Sequence, residues 1–117
     1  MLIRVHRCSV VPGREWEFNQ GIRNGAIPWV AALEGVDYSA FGRRIEGSEH
    51  HFVNVTMWRD LDAVREHSGP DVHSRLIFDG ESDLIAEDTI EYYEVIGPPV
   101  DEDAHGDPLS VDGASPP

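Results

Sequence analysis

The sequence predicts a single α+β domain in which a strand, a long helix, two strands, a shorter helical region and a last strand follow in this order. The length of 117 residues suits one domain, and apolar side chains recur with strand or helix spacing along its first 97 residues. We expect the domain to occupy residues 1–97. Residues 98–117 read as an acidic, proline-rich tail, because they contain almost nothing apolar to bury.

The first strand is predicted over residues 2–11. This segment is rich in β-branched side chains and stops at Pro12-Gly13, a pair typical of turns. Strand alternation puts Arg4, His6 and Cys8 on one face. Charged side chains are unusual on a face that lines a cavity, so Arg4 and His6 are candidate ligand-binding residues. The alternative is an edge strand with these side chains in water.

The first helix is predicted over residues 14–34, where apolar side chains recur at helical spacing. Gly35 is suited to end it. Pro28 lacks the N–H that would bond back one turn, so we expect a kink or break near residues 24–28.

Two strands are predicted next, over residues 37–45 and 51–58, joined by a linker of hairpin composition. The second strand alternates, and both of its faces carry apolar side chains. One face holds Phe52, Asn54, Thr56 and Trp58, and the other holds Val53, Val55 and Met57. A sheet that is apolar on both sides needs a second covering layer. We therefore expect a homodimer.

The remaining elements are a short helix, a helical piece and a final strand. Asp60 has the position of an N-cap for the short helix, which Gly69-Pro70 interrupts. We expect a further helical piece over residues 71–78 and a strand over residues 89–96. This element order is the ferredoxin-like β-α-β-β-α-β arrangement, with an antiparallel sheet and helices on one face.

Composition limits the classes of partner. The chain has 9 basic and 22 acidic residues, which argues against a nucleic-acid or anionic-membrane surface. Its only cysteine, Cys8, excludes an internal disulfide framework, and no apolar run is long enough to span a bilayer. These features predict a cytoplasmic protein whose partner is a small molecule or another copy of the chain.

The sequence resembles the antibiotic-biosynthesis monooxygenase (ABM) superfamily over about residues 2–96. The resemblance lies in the helix-closing stretch 33–36, in the strand 53–58 that ends in Trp58, and in the short helix after it that carries His67. It implies a dimeric α/β barrel. It also implies one of several activities, since the family includes cofactor-free oxygenases that turn anthrones into quinones, haem-degrading enzymes, and members with no known reaction.

The resemblance suggests catalytic roles for Asn54 and Trp58, since quinone-forming members have an Asn four residues before a Trp. Asn54 would hold a developing oxyanion, and Trp58 would pack against a flat aromatic ring, with no metal or other cofactor. The alternative is that Asn54 satisfies a backbone group and Trp58 is part of the core. The implied function is oxygenation of an aromatic or polyketide-like small molecule.

Further candidates surround this pair. His67 is the candidate general base, because its ordinary pKa is close to neutral, although a histidine exposed at a helix end is the more common situation. Arg75 could stabilise an enolate or peroxide, or could simply be solvated. Phe52 and Tyr92, on their strands, are candidate substrate contacts.

Two rival functions remain at this point. One is a non-catalytic dimer that binds a small ligand or is associated with stress. The other is haem degradation, for which the resemblance is poor: the family's three haem-related positions fall at His6, at His67 and near Ile77, and all three depart from its pattern. The spacing of the histidines matches no compact metal site, so no metal is expected.

Overall fold

A computed structural model describes residues 1–47, 50–76 and 81–97. Its core is a four-stranded antiparallel sheet with the strand order β2-β3-β1-β4. The strands are β1 (Leu2–Val10), β2 (Val36–Arg43), β3 (His51–Trp58) and β4 (Ile85–Glu94). The predicted α+β, ferredoxin-like fold class is confirmed.

The first helix is interrupted in the region where the sequence predicts a kink. It consists of α1 (Glu15–Gly21), a π-helical turn (Ile22–Ala26) and α2 (Ile27–Ala31). Pro28 lies at the start of α2 and cannot donate a backbone hydrogen bond to the preceding turn. Turns of the π type are rare and accommodate one extra residue within a helix. The predicted break is therefore present as a wider turn.

The next helix after the interrupted one, α3 (Leu61–Ser68), begins as predicted. Asp60 is its N-cap, and Asp60 Oδ1 accepts a hydrogen bond of 2.9 Å from the backbone N–H of Ala63. The missing side chain of Gly35 lets α3 pack closely against this residue, because a Cβ at position 35 would lie only 2.7 Å from the Cβ of Ala63. Gly35 also has a φ of +89°, which other residues rarely adopt.

The predicted helical piece over residues 71–78 is wrong for its described part. Residues 71–76 form a turn followed by irregular structure, because the Asp71 side chain accepts a hydrogen bond of 2.9 Å from the backbone N–H of His73. An aspartate that bonds to the backbone two residues on favours a turn over a helix. A short 3₁₀ turn at Ser82–Leu84 then leads into β4, which begins four residues earlier than predicted.

Other predictions fall on residues outside the described ranges. These are part of the linker between β2 and β3, the end of the predicted helical piece, and the acidic tail 98–117. In the described part of the chain, no helix is both long and apolar enough to cross a membrane.

The two faces of the sheet have different surroundings. The helices cover the inner face, where the side chains of Phe41, Asn54 and His6 form a row across β2, β3 and β1. Two buried clusters lie between this face and the helices. One includes Phe18 and Phe52, whose ring centroids are 4.9 Å apart, and the other surrounds Trp58.

Candidate functional site

A small cavity lies between the inner face and the interrupted first helix. The π-helical turn supplies part of its wall through Ile22 and Ala26. The rest of the wall is mostly apolar, and three polar side chains reach it: His6, Asn54 and Glu81. Its volume is about 30 Å³, which is room for about one or two water molecules. An apolar cavity with a few polar groups is the usual form of a small-molecule site.

His6 is held by a chain of charged groups. Its Nε2 lies 2.8 Å from Asp88 Oδ2, and both Asp88 oxygens accept hydrogen bonds from Arg75, at 2.8 and 2.9 Å. Alternation along β1 and β4 produces this arrangement, because Asp88 lies directly across from Cys8, two residues from His6 on the same face. Arg75 donates a further hydrogen bond to Ser82.

The contacts among Arg75, Asp88 and His6 fix the protonation of the imidazole. The hydrogen bonds from Arg75, with help from His6, lower the pKa of Asp88 and keep it ionised, so Nε2 of His6 carries the proton and donates. Burial lowers the pKa of His6, against the opposing effect of Asp88, and favours the neutral ring. In a neutral ring protonated at Nε2, Nδ1 is the acceptor. His6 is therefore a buried, oriented base.

Glu81 is a second titratable group at the cavity. Its side chain is buried, and Oε2 has no hydrogen-bond partner among the described residues. Burial raises the pKa of this carboxyl to about 7. Buried carboxyl oxygens are normally paired, so an orphan oxygen at a cavity wall is a recognised sign of a functional site.

Asn54 lines the cavity, but part of its amide is already used. Its Nδ2 donates a hydrogen bond of 3.0 Å to the backbone oxygen of Ala40 on β2. This bond identifies the nitrogen and leaves Oδ1 as the acceptor of the side chain. The geometry therefore matches the backbone-satisfying alternative at one end of the amide.

Trp58 and His67 do not line the cavity. Trp58 is only 1% exposed, donates through Nε1 to Thr56 Oγ1 at 2.8 Å, and packs on Val64 of α3. The His67 ring is exposed, lies beside Trp58 with 5.8 Å between ring centroids, and has Nε2 3.4 Å from the Glu34 oxygen. Geometry thus gives no support to Trp58 as a wall for a ligand or to His67 as its base.

The other residues predicted to bind a ligand also divide into those that line the cavity and those that do not. Phe52 lines the cavity, whereas Arg4, Arg75 and Tyr92 do not. Arg4 is buried on the inner face, as its strand parity indicates, and donates to Tyr92 Oη at 3.2 Å and to the Ser74 oxygen at 3.3 Å. Arg4 and Tyr92 therefore anchor the turn segment beside β4, and Arg75 acts through Asp88.

Sequence reasoning missed Glu81 and Asp88. A signal for Asp88 was available, since it shares a strand face with Tyr92 once β4 is extended to begin at Ile85. Glu81 lies in a connecting segment, where no periodicity indicates burial. Among the described residues, no group of three or more His, Cys, Asp or Glu could hold a metal ion.

A wider depression of about 560 Å³ lies mainly on the outer face of the sheet, bounded by Arg7, Ser9, His51, Val53 and Thr89 among others. Arg7 there forms an ion pair with Glu91. The depression also reaches His51, whose buried Nδ1 has no hydrogen-bond partner among the described residues, but it lacks the mostly apolar wall of the inner cavity.

Comparison with known proteins gives a result at the level of fold. No family model and no curated protein matches the sequence. A solved structure named antibiotic biosynthesis monooxygenase is 14% identical, with a TM-score of 0.67, and the match covers 83% of this chain and 100% of that chain. A structure from Deinococcus radiodurans whose name refers to the same activity is 16% identical, with a TM-score of 0.65 and coverages of 86% and 97%.

A structure from Caulobacter crescentus, also named for this activity, is 20% identical, with a TM-score of 0.65 and coverages of 82% and 90%. Identities this low establish shared architecture and leave the reaction open. The described part of the chain has the fold of the antibiotic biosynthesis monooxygenase structures, as the sequence resemblance predicts.

Proposed function

We propose that the protein is a cofactor-independent monooxygenase that acts on an aromatic, polyketide-like small molecule. The observation that carries this proposal is that one apolar cavity holds both an oriented base, His6, and the Glu81 carboxyl, whose Oε2 has no partner in the described ranges. Apolar walls suit a flat ring, and titratable groups that lie together in a cleft suit proton transfer. The fold shared with the named monooxygenases is consistent with this chemistry.

The reaction we propose begins with proton abstraction. His6 Nδ1 removes a proton from an activated ring carbon, and the electron pair stays on the substrate as a carbanion stabilised by the ring. The carbanion reduces dioxygen and combines with it to form a carbon-bound peroxide, which takes the first proton back from the His6 imidazolium and so regenerates the base. Loss of the second proton from that carbon breaks the O–O bond, so one oxygen becomes the carbonyl of a quinone and the other leaves in water.

In this proposal, Asn54 and Phe52 contact the substrate, and His6 replaces His67 as the base. Asp88 stabilises the imidazolium that forms when His6 takes the proton, and Arg75 holds Asp88 in place. Trp58 contributes to folding instead of contacting the ring. The cavity must widen to admit a substrate of several rings, because its present volume is about 30 Å³.

We also propose that the protein acts as a homodimer formed through the outer face. Val55 and Met57 are half-buried there, and Tyr38 and Tyr93 are 54% and 46% exposed. Large apolar side chains grouped on one sheet face favour a covering partner. Light scattering after gel filtration should give twice the chain mass, and Val55→Glu should give one chain mass. A wild-type monomer would contradict this part of the proposal.

A cytoplasmic location also stays a prediction.

One observation favours a second function, non-catalytic binding of a small ligand. Asn54 Nδ2 is already bonded to Ala40, so one end of the amide is unavailable to an oxyanion. In this alternative, His6 and Glu81 recognise hydroxyl groups on the ligand and transfer no proton.

Oxygen uptake tests the choice. Wild-type protein, treated with a metal chelator, should consume oxygen with a dihydroxyanthrone and should form the matching quinone. His6→Ala should reduce kcat/KM by about 100-fold or more, as removal of a general base does, and Asn54→Ala should reduce it by about 10-fold, as expected for one weakened polar contact. Binding of the anthrone without oxygen uptake by wild-type protein would favour the ligand-binding alternative.

A further inference from the structure

We propose that Glu81 is the catalytic acid of the cavity: its carboxyl donates a proton to the distal oxygen of the substrate peroxide, which then leaves as water. This inference rests on the proposed oxygenation and assigns one residue to its last step. Nothing in the pattern around residue 81 suggests the role, which depends on where the structure places this side chain.

The position of Glu81 is fixed by the backbone around it. Its carbonyl oxygen accepts a hydrogen bond of 3.0 Å from Leu84 N–H in the 3₁₀ turn, which orders the residue directly before β4. The side chain is 7% exposed and lines the cavity that His6 also lines. Its Oε2 is buried and has no partner in the described part of the chain. Its Oε2 is therefore available, as far as the described residues are concerned, to a molecule that occupies the cavity.

No cation among the described residues acts as a counter-ion to Glu81, and burial is what raises the pKa of its carboxyl. Arg75 is committed to Asp88 through two hydrogen bonds. Arg4 is directed to Tyr92 and to the Ser74 oxygen. Cys8 is a neutral thiol, because burial raises its pKa to about 12. The Glu81 carboxyl therefore lacks compensation for a negative charge, and a buried carboxyl without compensation retains its proton.

His6 and Glu81 have complementary protonation states for this reason. Burial favours the neutral form of each, so the imidazole lacks an extra proton while the carboxyl still carries one. One side chain can then accept a proton and the other can donate one at the same pH. Two titratable groups with different protonation at one site are the usual arrangement for acid and base in one reaction.

The proton and electron balance of the step is complete. After oxygen has added to the ring carbon, the peroxide takes the first proton back from the His6 imidazolium. Neutral His6 then removes the remaining proton from that carbon, and the C–H electron pair forms the carbonyl as the O–O bond breaks. The departing hydroxide takes the proton of Glu81 and becomes water. The His6 imidazolium then returns a proton to Glu81. Dioxygen is the only oxidant, and the substrate carbon is the only group oxidised.

The test separates oxygen consumption from the fate of the peroxide. Wild-type protein and Glu81→Gln are compared with a dihydroxyanthrone, and oxygen consumed, quinone formed and peroxide released are measured together. Gln has the shape of Glu but cannot donate a proton. We expect Glu81→Gln to keep consuming oxygen, with quinone per oxygen reduced by about 10-fold or more and peroxide accumulating in its place. Glu87→Gln, an exposed change on β4, is the matched control and should behave as wild type.

The pH dependence provides a test that needs no variant. The wild-type yield of quinone per oxygen should fall as the pH rises through about 7, because Glu81 then loses its proton. Cys8 interacts electrostatically with Glu81, and its thiol stays neutral in this pH range. His6 lines the same cavity, and its pKa lies below the ordinary value.

Either of two results would overturn the inference: an unchanged quinone yield in Glu81→Gln, or a wild-type yield that stays constant across this pH range. If wild-type protein consumes oxygen normally in those experiments, the proposed oxygenation stands and only the role of Glu81 fails. Absence of oxygen uptake by wild-type protein would instead defeat the proposed function itself.

Discussion

The space between the sheet and the helices has two ends, and they differ in whether the buried polar atoms there have hydrogen-bond partners. At the end near α3, Trp58 is buried and its single polar atom is bonded to Thr56. At the end near the π-helical turn, Glu81 is also buried, but Oε2 has no hydrogen-bond partner among the residues that the structure describes. A satisfied polar atom stabilises the fold, whereas an unsatisfied one at a cavity is available to a ligand. This difference assigns packing to one end and chemistry to the other.

The largest expected effect is at the packed end. Trp58→Ala should lower the free energy of unfolding by about 4 kcal/mol, because it creates a cavity and leaves Thr56 without its donor. Urea denaturation would measure this, with exposed Trp16→Ala as the control. At temperatures where the variant is folded, the affinity for an anthrone should change by less than about threefold. This is well below a tenfold change, which corresponds to about 1.4 kcal/mol. A large loss of affinity would place Trp58 at the ligand after all.

The next effect is at the chain of charges beside the cavity. Asp88→Asn removes the charge that stabilises protonated His6, so kcat/KM for oxygen uptake should fall by about 100-fold. Steady-state kinetics with a dihydroxyanthrone would measure it. Asp83→Asn, an exposed change in the neighbouring 3₁₀ turn, should have no effect. Equal activity in both variants would remove Asp88 and His6 from the mechanism.

A smaller effect concerns the stability contributed by Glu81 at different pH. Its folded-state pKa of about 7 lies above the ordinary 4.5, so ionisation as the pH rises from 4.5 to 7 destabilises the folded protein. Glu81→Gln avoids that cost. The stability of the variant relative to wild type should therefore be higher at pH 8 than at pH 4, by about 3 kcal/mol. Denaturant unfolding of both proteins at both pH values would measure this effect. A difference between variant and wild type that is the same at pH 4 and at pH 8 would contradict the burial argument.

The smallest effect is expected at His67. His67→Ala should change the free energy of unfolding by less than about 0.5 kcal/mol, since the side chain is exposed and its contact with Glu34 is long. Oxygen uptake by this variant should equal that of wild type. A large fall in kcat would restore His67 as the base.

The fold was predictable to a large extent because it depends on periodicity. The alternation of β3 correctly puts Asn54 and Trp58 on one face, and the parity of β1 puts Arg4 and His6 on the same side. The cavity was harder to predict, because strand periodicity fixes the face of a residue and leaves open where along the strand the space lies. By strand rise, Asn54 and Trp58 are separated by about 13 Å. That separation is enough for one to line the cavity and the other to be packed.

The proton-transfer groups could not be found from the sequence for a different reason. Glu81 is buried by contacts between segments far apart in the chain, and Asp88 gains its role only through Arg75, 13 residues earlier. The misjudged segment 71–76 has the same origin, since an aspartate bonded to its own backbone overrides a weak helical pattern.

The π-helical turn also has a consequence for how the family fold can diversify. A turn of this kind is equivalent to an α-helix with one inserted residue, and the wider turn absorbs the rotation of about 100° that the extra residue would otherwise impose on the rest of the helix. Deleting a single residue within Ile22–Ala26 would restore a regular helix and keep Val30 on the face that it now occupies, while it would change the part of the cavity wall that the π-helical turn forms. The binding capacity of this fold is therefore adjustable by insertions and deletions in one helix, with the sheet and its registers left intact.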